Sequence, residues 1–369
     1  MIQAKRLARH GNVDWDTFLD FAIQSRIAPL LWGCVRDYPD LIPRRVGTML
    51  EACYQNAAIR NTLYSVELGQ VLDGLSCRGL PVIVLKGAAL GDTLYQNKAL
   101  RPISDIDLLL RKPDISAVLD HLGTDGYRRD VSEPRDGMAL DYESELVVQK
   151  PGPIDLTVDL HWHLVDSPYY QRRMPLDWFW STAEEARIGG TEALVLGLEA
   201  NLLYLSAHHV LHHQGEGVRW LIDIAGLISE NKDRIDWDLL LLKAQAFQLV
   251  TAIRVVLAQL TIEWELPGLT PHLLAAQSLP ISREERRIVS WMIADNRPVV
   301  QRFWADLASL PDWRSRIPYA FANLFPNPAY MQERYGLSSS VLVPLAYPYR
   351  WVLGLWELAS SRRAMEDDG

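Results

Sequence analysis

Two aspartates one residue apart at the head of an apolar run, Asp105-Ile106-Asp107-Leu108-Leu109-Leu110, constrain this chain more than any other segment. In an extended strand residues i and i+2 share a face, so Asp105 and Asp107 stand side by side while Ile106 and Leu108 pack the opposite face into a core. Like charges held that close repel, and the fold must supply an offset. A divalent cation is the simplest one: hard Mg²⁺ takes one or two carboxylates plus substrate phosphate oxygens, and paired ions promote in-line phosphoryl or nucleotidyl displacement.

The surrounding chain reads as a sheet packed by helices. Apolar positions recur at helical spacing over 14–36 and 42–78, the second stretch without an internal proline. Gly79-Leu80-Pro81 punctuates the chain, and Val82–Leu85 has the β-branched character of a first strand. A short helix is expected over 88–95, a strand over 106–110, a helix over 115–122, and strands opening at Gly126 and over 146–149 and 156–161. Along the last, Asp155, Thr157, Asp159 and His161 share a polar face, with Leu156, Val158 and Leu160 opposite. Asp159 is the best third carboxylate, as metal ligand or base, with Asp155 its competitor. From Glu192 onward the pattern is helical, with helices expected over 193–214, 218–230, 237–260 and 341–364.

The motifs Lys86-Gly87-Ala88-Ala89-Leu90, Arg101-Pro-Ile-Ser-Asp105-Ile-Asp107-Leu108 and Asp159-Leu160-His161-Trp162 resemble those of a family of uncharacterised bacterial nucleotidyltransferases, within the polymerase-β-like nucleotidyltransferase superfamily. The resemblance implies an α+β fold with a mixed sheet flanked by helices. An N-terminal helical region (1–78), a nucleotidyltransferase core (79–188) and a large C-terminal helical bundle (189–369) follow. It also implies transfer of an NMP from an NTP to an acceptor hydroxyl or amine. Asp105, Asp107 and Asp159 would hold Mg²⁺ or Mn²⁺, and Lys86, Gly87, Arg101 and Ser104 would meet the triphosphate. Where many superfamily members carry Gly-Ser or Gly-Gly, this chain has Gly87-Ala88, leaving phosphate to backbone N–H groups and the Lys86 charge. The lost hydroxyl makes a nucleotide-binding regulatory or scaffold protein the second reading; a toxin-like transferase acting on tRNA is the third.

His161 follows the third carboxylate on its own face and is a candidate for orienting substrate, whereas Trp162 points to the core. His208, His209, His212 and His213 form two i, i+4 pairs on one expected helix, without the glutamate of an H-E-x-x-H site. They suit a substrate-facing polar network, with His209, His212 and Arg219 as acceptor contacts. Arg219 and Asp223 are spaced to pair on a helix surface. The aromatic segment 342–356 reads as packing within the bundle.

At 369 residues the chain fits two or three domains. A net charge of -9 removes the basic footprint of a nucleic-acid binder, so DNA is not expected as partner and tRNA is disfavoured. Cys34, Cys53 and Cys77 show no paired spacing and are expected as buried thiols. The basic N-terminus lacks an apolar segment behind it, and no apolar run approaches the ~18 residues that span a bilayer. A cytoplasmic protein is expected.

Overall fold

A computed structural model describes residues 13–129, 144–152, 154–293, 303–304, 307–308, 310 and 312–367. The basic stretch at 1–12 lies outside them. Three helices open the described chain: α1 (Trp15–Gln24), α2 (Ala28–Val35) and α3 (Arg44–Ser76). Asp14 caps α1 by accepting from the N–H groups of Asp16 and Thr17. In α3, Ala57, Asn61, Tyr64, Leu68, Val71 and Leu75 recur at three- and four-residue steps and, with Leu50 two turns earlier, are buried, so a single face of this long helix meets the core. It ends at Gly79, whose φ of 67° turns the chain toward the first strand.

The strands are β1 (Val82–Val84), β2 (Ile106–Leu110), β3 (Arg128–Arg129), β4 (Glu145–Lys150), β5 (Leu156–His161), β6 (Glu184–Ile188) and β7 (Thr191–Val195). They form one mixed sheet in the order β3-β4-β5-β2-β1-β7-β6, in which β2 runs parallel to β5 and β1 parallel to β7. The alternation of β2 divides the core. Ile106, Leu108 and Leu110 pack with Val84, Val158 and Leu160 under α3 and helix α5 (Ile115–Thr124), whereas Leu109, Ile83 and Leu85 face the C-terminal helices. Trp162 belongs to the first of these cores, as its position after the strand implies. The expected α+β class, with a mixed sheet flanked by helices, is therefore present.

Between β1 and β2 lies the short α4 (Lys86–Thr93), and α6 (Pro168–Arg173) and α7 (Leu176–Ser181) precede β6. The expected helix from Ala193 is overturned: Thr191–Val195 is a strand, paired with β6 through Gly189 and Gly190 at φ 60° and 89°. Two successive left-handed residues make the tight hairpin turn that glycine permits. The turn docks on α3 where Gly69 leaves room, since a Cβ there would lie 2.7 Å from the Gly189 carbonyl oxygen. The sheet thus continues past residue 188 to Val195.

The helical half begins with α8 (Leu198–Leu211), buried on nearly all sides, followed by α9 (Val218–Asn231), α10 (Trp237–Ala246) and α11 (Val250–Ala258). The single helix expected over 237–260 is two, because Gln248 takes a left-handed φ of 60° and Leu249 N–H closes back on Ala244. Then come α12 (Thr270–Ser278), α13 (Arg283–Ile293), α14 (Trp313–Leu324), α15 (Pro328–Tyr335) and α16 (Val343–Asp367). The aromatic segment packs within this half only in part: Tyr347 Oη donates to Pro326 O and Trp351 Nε1 to Leu324 O, whereas Tyr349 and Trp356 are exposed. Cys34 and Cys77 are exposed and Cys53 half-buried, correcting the expectation of buried thiols; α2 and the end of α3 turn those two positions outward. Among the described residues no helix is long and apolar enough to cross a membrane.

Candidate active site

The parallel pairing of β2 with β5 sets Asp107 directly beside Asp159, with Leu109 beside His161. Antiparallel pairing of β4 with β5 brings Glu145 beside His161. Three neighbouring strands thus place four titratable side chains on one sheet face, although 52 residues separate the two aspartates. Ligand atoms of Asp107, Asp159 and His161 lie within 4.8 Å of one another. Asp105, one residue before β2, stands outside that group, at the mouth of a cleft of about 520 Å³ that it lines with Asp107, Lys86 and Ser104.

Electrostatics inside this cluster are strongly perturbed. Asp107 is buried, which works against its charge, but Lys86 Nζ at 2.6 Å and His161 Nε2 at 2.9 Å outweigh burial and hold its pKa well below the carboxylate range. Burial and the Lys86 charge oppose an imidazolium at His161. Its hydrogen bonds to Asp107 and, through Nδ1 at 3.0 Å, to Glu145 win, pushing it up to about 9. Glu145 is held down to about 2, first by that hydrogen bond. His161 is thus a cation between two carboxylates, with both N–H groups donating, and in that state it offers no lone pair to a metal. Lys86 is disfavoured by burial, yet the neighbouring Tyr204 and Asp107 keep it charged.

Asp159 is different. Burial, then the charges of Asp107 and Asp105, raise its pKa to about 7, and its Oδ1 is buried without a hydrogen-bond partner. Asp105 is raised as well, by burial and then by Asp107. An orphaned carboxylate oxygen beside two further carboxylates fits a hard divalent cation, which would satisfy it and relieve the repulsion. Asp105, Asp107 and Asp159 are the residues that would hold it.

The loop from Lys98 to Asp105 is held by α3, a function invisible in the motifs. Asn61, buried, donates Nδ2 to the carbonyls of Lys98 and Arg101 and accepts Ile103 N–H, while Tyr64 Oη donates to the Ser104 carbonyl. Ser104 Oγ donates in turn to Asp105 Oδ1 at 3.1 Å. Lys86 opens α4 at a left-handed φ of 48°, an uncommon conformation for a residue with a side chain. Gly87 is buried against Arg101: a Cβ there would come within 3.2 Å of Arg101 Nη1.

Arg101 itself does not reach the cleft wall. Its Nε lies 3.0 Å from both carboxylate oxygens of Asp223 and its Nη2 2.8 Å from Oδ2, with Arg101 3% and Asp223 0% exposed. Tyr95 Oη donates to the same carboxylate. This corrects the expected Arg219–Asp223 surface pair, since Asp223 is in the core and taken by Arg101. Arg219 instead stacks on Trp220 and lines the cleft with its Nη1 unpartnered. Of the histidines, His209 is buried and its Nε2 meets Gln259 Oε1 at 2.9 Å, on the bundle side. His208 and His213 line the cleft, stacked against Trp220 and each other. His212, exposed, stacks on His208. Asp155 is exposed at the start of β5 and contributes only its carbonyl, accepting from Tyr64.

Residues 11–261, which include every one of these groups, match the model of the family described as "Uncharacterised nucleotidyltransferase". The chain belongs to that family. No curated protein matches it significantly. Among solved structures, an antigenic nucleotidyltransferase-like protein from Paracoccidioides brasiliensis is similar at 17% identity with a TM-score of 0.36, over 61% of this chain and 95% of that one. Membership in the nucleotidyltransferase family rests on the sequence match, and the site geometry is what this member makes of it.

Proposed function

We propose that the protein is a Mg²⁺-dependent nucleotidyltransferase that moves a nucleoside monophosphate from an NTP to an acceptor hydroxyl or amine of a small molecule, peptide or protein. One observation carries this reading: Asp107 and Asp159, in register on parallel strands, leave a buried carboxylate oxygen of Asp159 unsatisfied beside the open cleft that Asp105 and Asp107 line. A bound divalent cation would supply charge neutralisation at the α-phosphate and the departing pyrophosphate. The acceptor O–H or N–H gives its proton to the Asp159 carboxylate as its bond to the α-phosphorus forms, and the bond from that phosphorus to the bridging oxygen breaks, its electron pair leaving with pyrophosphate. His161 and Glu145 keep the Asp107 carboxylate ionised and oriented, and Asn61 and Tyr64 fix the loop bearing Asp105. The acceptor approaches the α-phosphorus from the side away from the departing pyrophosphate, as in-line displacement requires.

The engagement of Asp107 by both Lys86 and His161 favours one competing reading, a nucleotide-binding regulatory protein without turnover. Incubation with each α-labelled NTP, Mg²⁺ or Mn²⁺ and cell extract separates the two. Label transferred to an acceptor, and lost in Asp105→Ala/Asp107→Ala, supports transfer. Nucleotide binding with no label transfer under any metal supports the regulatory protein.

A further inference from the structure

We infer that the helical wall of the cleft, at Arg219 and Arg26, is a polyphosphate-binding site that takes the β- and γ-phosphates of the NTP. The inference rests on the nucleotidyltransferase reading for the choice of ligand, but the site is argued from charge and geometry alone.

The cleft is lined from the sheet by Lys86, Asp105 and Asp107, and from the helices by Arg26, from the turn after α1, Arg219, in the first turn of α9, and Glu216. No ion pair to either arginine occurs among the described residues, in contrast to Arg101, which Asp223 neutralises. The two arginines lie close enough to disfavour one another: burial, then the charges of Arg101 and Arg26, lower the Arg219 pKa to about 10, with Asp223 and Asp105 opposing. A guanidinium nitrogen left buried and unbonded beside a second arginine, in a cleft where Asp223, Asp105 and Glu216 offset their charge only in part, has a place for a multiply charged anion. Stacking on Trp220 fixes the Arg219 plane, and the uncapped N-terminus of α9, a helix of fourteen residues, opens into the same wall. Gly217, at that terminus, admits no larger residue without moving Trp220, whose Cδ1 would lie 2.5 Å from a Cβ.

Arg26 adds an independent observation. It occupies the position after α1 with φ 55°, closing the helix through its N–H to Ile23 O and that of Ile27 to Ala22 O. Glycine is the residue that such a C-terminal turn favours. An exposed arginine is kept there against local preference, and its side chain lines the cleft. A polyphosphate chelated at one end by a carboxylate-bound cation and held at the other by two guanidinium groups matches both the sheet lining and the helical lining. A monophosphate matches only one.

The test is titration calorimetry with inorganic tripolyphosphate, in EDTA and in Mg²⁺, on the full chain. Wild-type protein should bind in EDTA with an affinity that falls steeply with salt. Arg219→Gln should weaken binding about tenfold or more, the cost of a lost charge-assisted contact. Arg26→Gly should weaken it several-fold while leaving the melting temperature unchanged or raised, because glycine relieves the left-handed turn; this variant keeps the test decisive if Arg219→Gln fails to fold. Asp105→Asn should bind tripolyphosphate in EDTA at least as well as wild type. Absence of wild-type binding, or wild-type affinity in both arginine variants, overturns the site. Arginine-dependent binding in a protein that transfers no nucleotide would sink the transferase reading and leave the site standing, whereas transfer with unchanged KM in both variants would do the reverse.

Discussion

Replacing Arg101 by methionine should unfold the loop it anchors rather than merely weaken nucleotide binding. Three nitrogen–oxygen contacts of 2.8 to 3.0 Å join its guanidinium to Asp223, and neither side chain reaches solvent appreciably. Removing the arginine leaves an ionised carboxylate in the core with only the Tyr95 hydroxyl as donor, and breaking one side of a buried pair in this way costs about 3–5 kcal/mol. Asp223 is then left without its counter-charge in a dry site, which destabilises the native state. In Arg101→Met/Asp223→Leu, both charges are gone and apolar volume replaces them, so most of the loss should be recovered. Urea denaturation of the wild type, the two single variants and the double variant gives the four free energies, and their cycle isolates the coupling. A coupling of about 2 kcal/mol or more is expected between residues in one such network. If Arg101→Met kept wild-type stability within about 0.5 kcal/mol, the range of surface substitutions, yet lost NTP affinity tenfold, the structural role assigned to this pair would be refuted and Arg101 would return to the triphosphate.

Three further outcomes are expected. Mg²⁺ or Mn²⁺ with NTP should raise the melting temperature of the wild type by mass action and fail to do so in Asp105→Ala/Asp107→Ala, checked by differential scanning fluorimetry. In EDTA, stability should fall as pH rises from about 7 to 9. His161, at about 9 in the folded protein against an ordinary 6.5, contributes about 3 kcal/mol that is fully present below pH 6.5 and lost as pH climbs through 9. Asp159, raised from 3.8 to about 7, adds a loss of the same sign between those values, and Mg²⁺ should flatten its part because the cation favours the ionised carboxylate. Chemical denaturation across pH 5 to 9 is read as wild type minus His161→Asn, which cancels the opposing gain that the buried His163, His208 and His213, lowered in pKa, make as pH rises toward 6.5; a difference that grows between pH 7 and 9 in EDTA would contradict the His161 contribution. Finally, His213→Ala should depress transfer with little change in stability, whereas His209→Ala should destabilise the bundle by about 1–3 kcal/mol through the unpaired Gln259 and leave KM for NTP unaltered, as kinetics and melting together would show.

Local alternation was enough to place the chemistry on its strands. Asp107 and Asp159 each interrupt an apolar strand at a position whose neighbours must face inward, so the period of two alone put both on the polar face, and the Trp162 side chain opposite. The family motifs added the order of the elements and the class of reaction. The hairpin of β6 and β7 was also written locally, as Ile188-Gly189-Gly190-Thr191, but its strands alternate weakly and Leu194, Val195 and Leu196 pass equally for the start of an apolar helix. Helix α8, buried on every side, has no stripe by which to mark where it begins.

Partners distant in sequence were decided only by tertiary structure. Whether Asp223 pairs with Arg219 one turn away or with Arg101 across the fold depends on which of them is desolvated beside it, and spacing carries no information on that. The same holds for the histidine helix: the four imidazoles share one sequence cluster, yet rotation of the helix sends His209 to Gln259 and His208 to the cleft. Glu145, Asn61, Arg26 and Tyr204 join the site from four separate elements, and each is unremarkable where it stands in the chain. A sequence determines the face a residue occupies because that follows from backbone period; it leaves the charge a residue will meet to the packing, because burial and Coulomb interaction act through space and not along the chain.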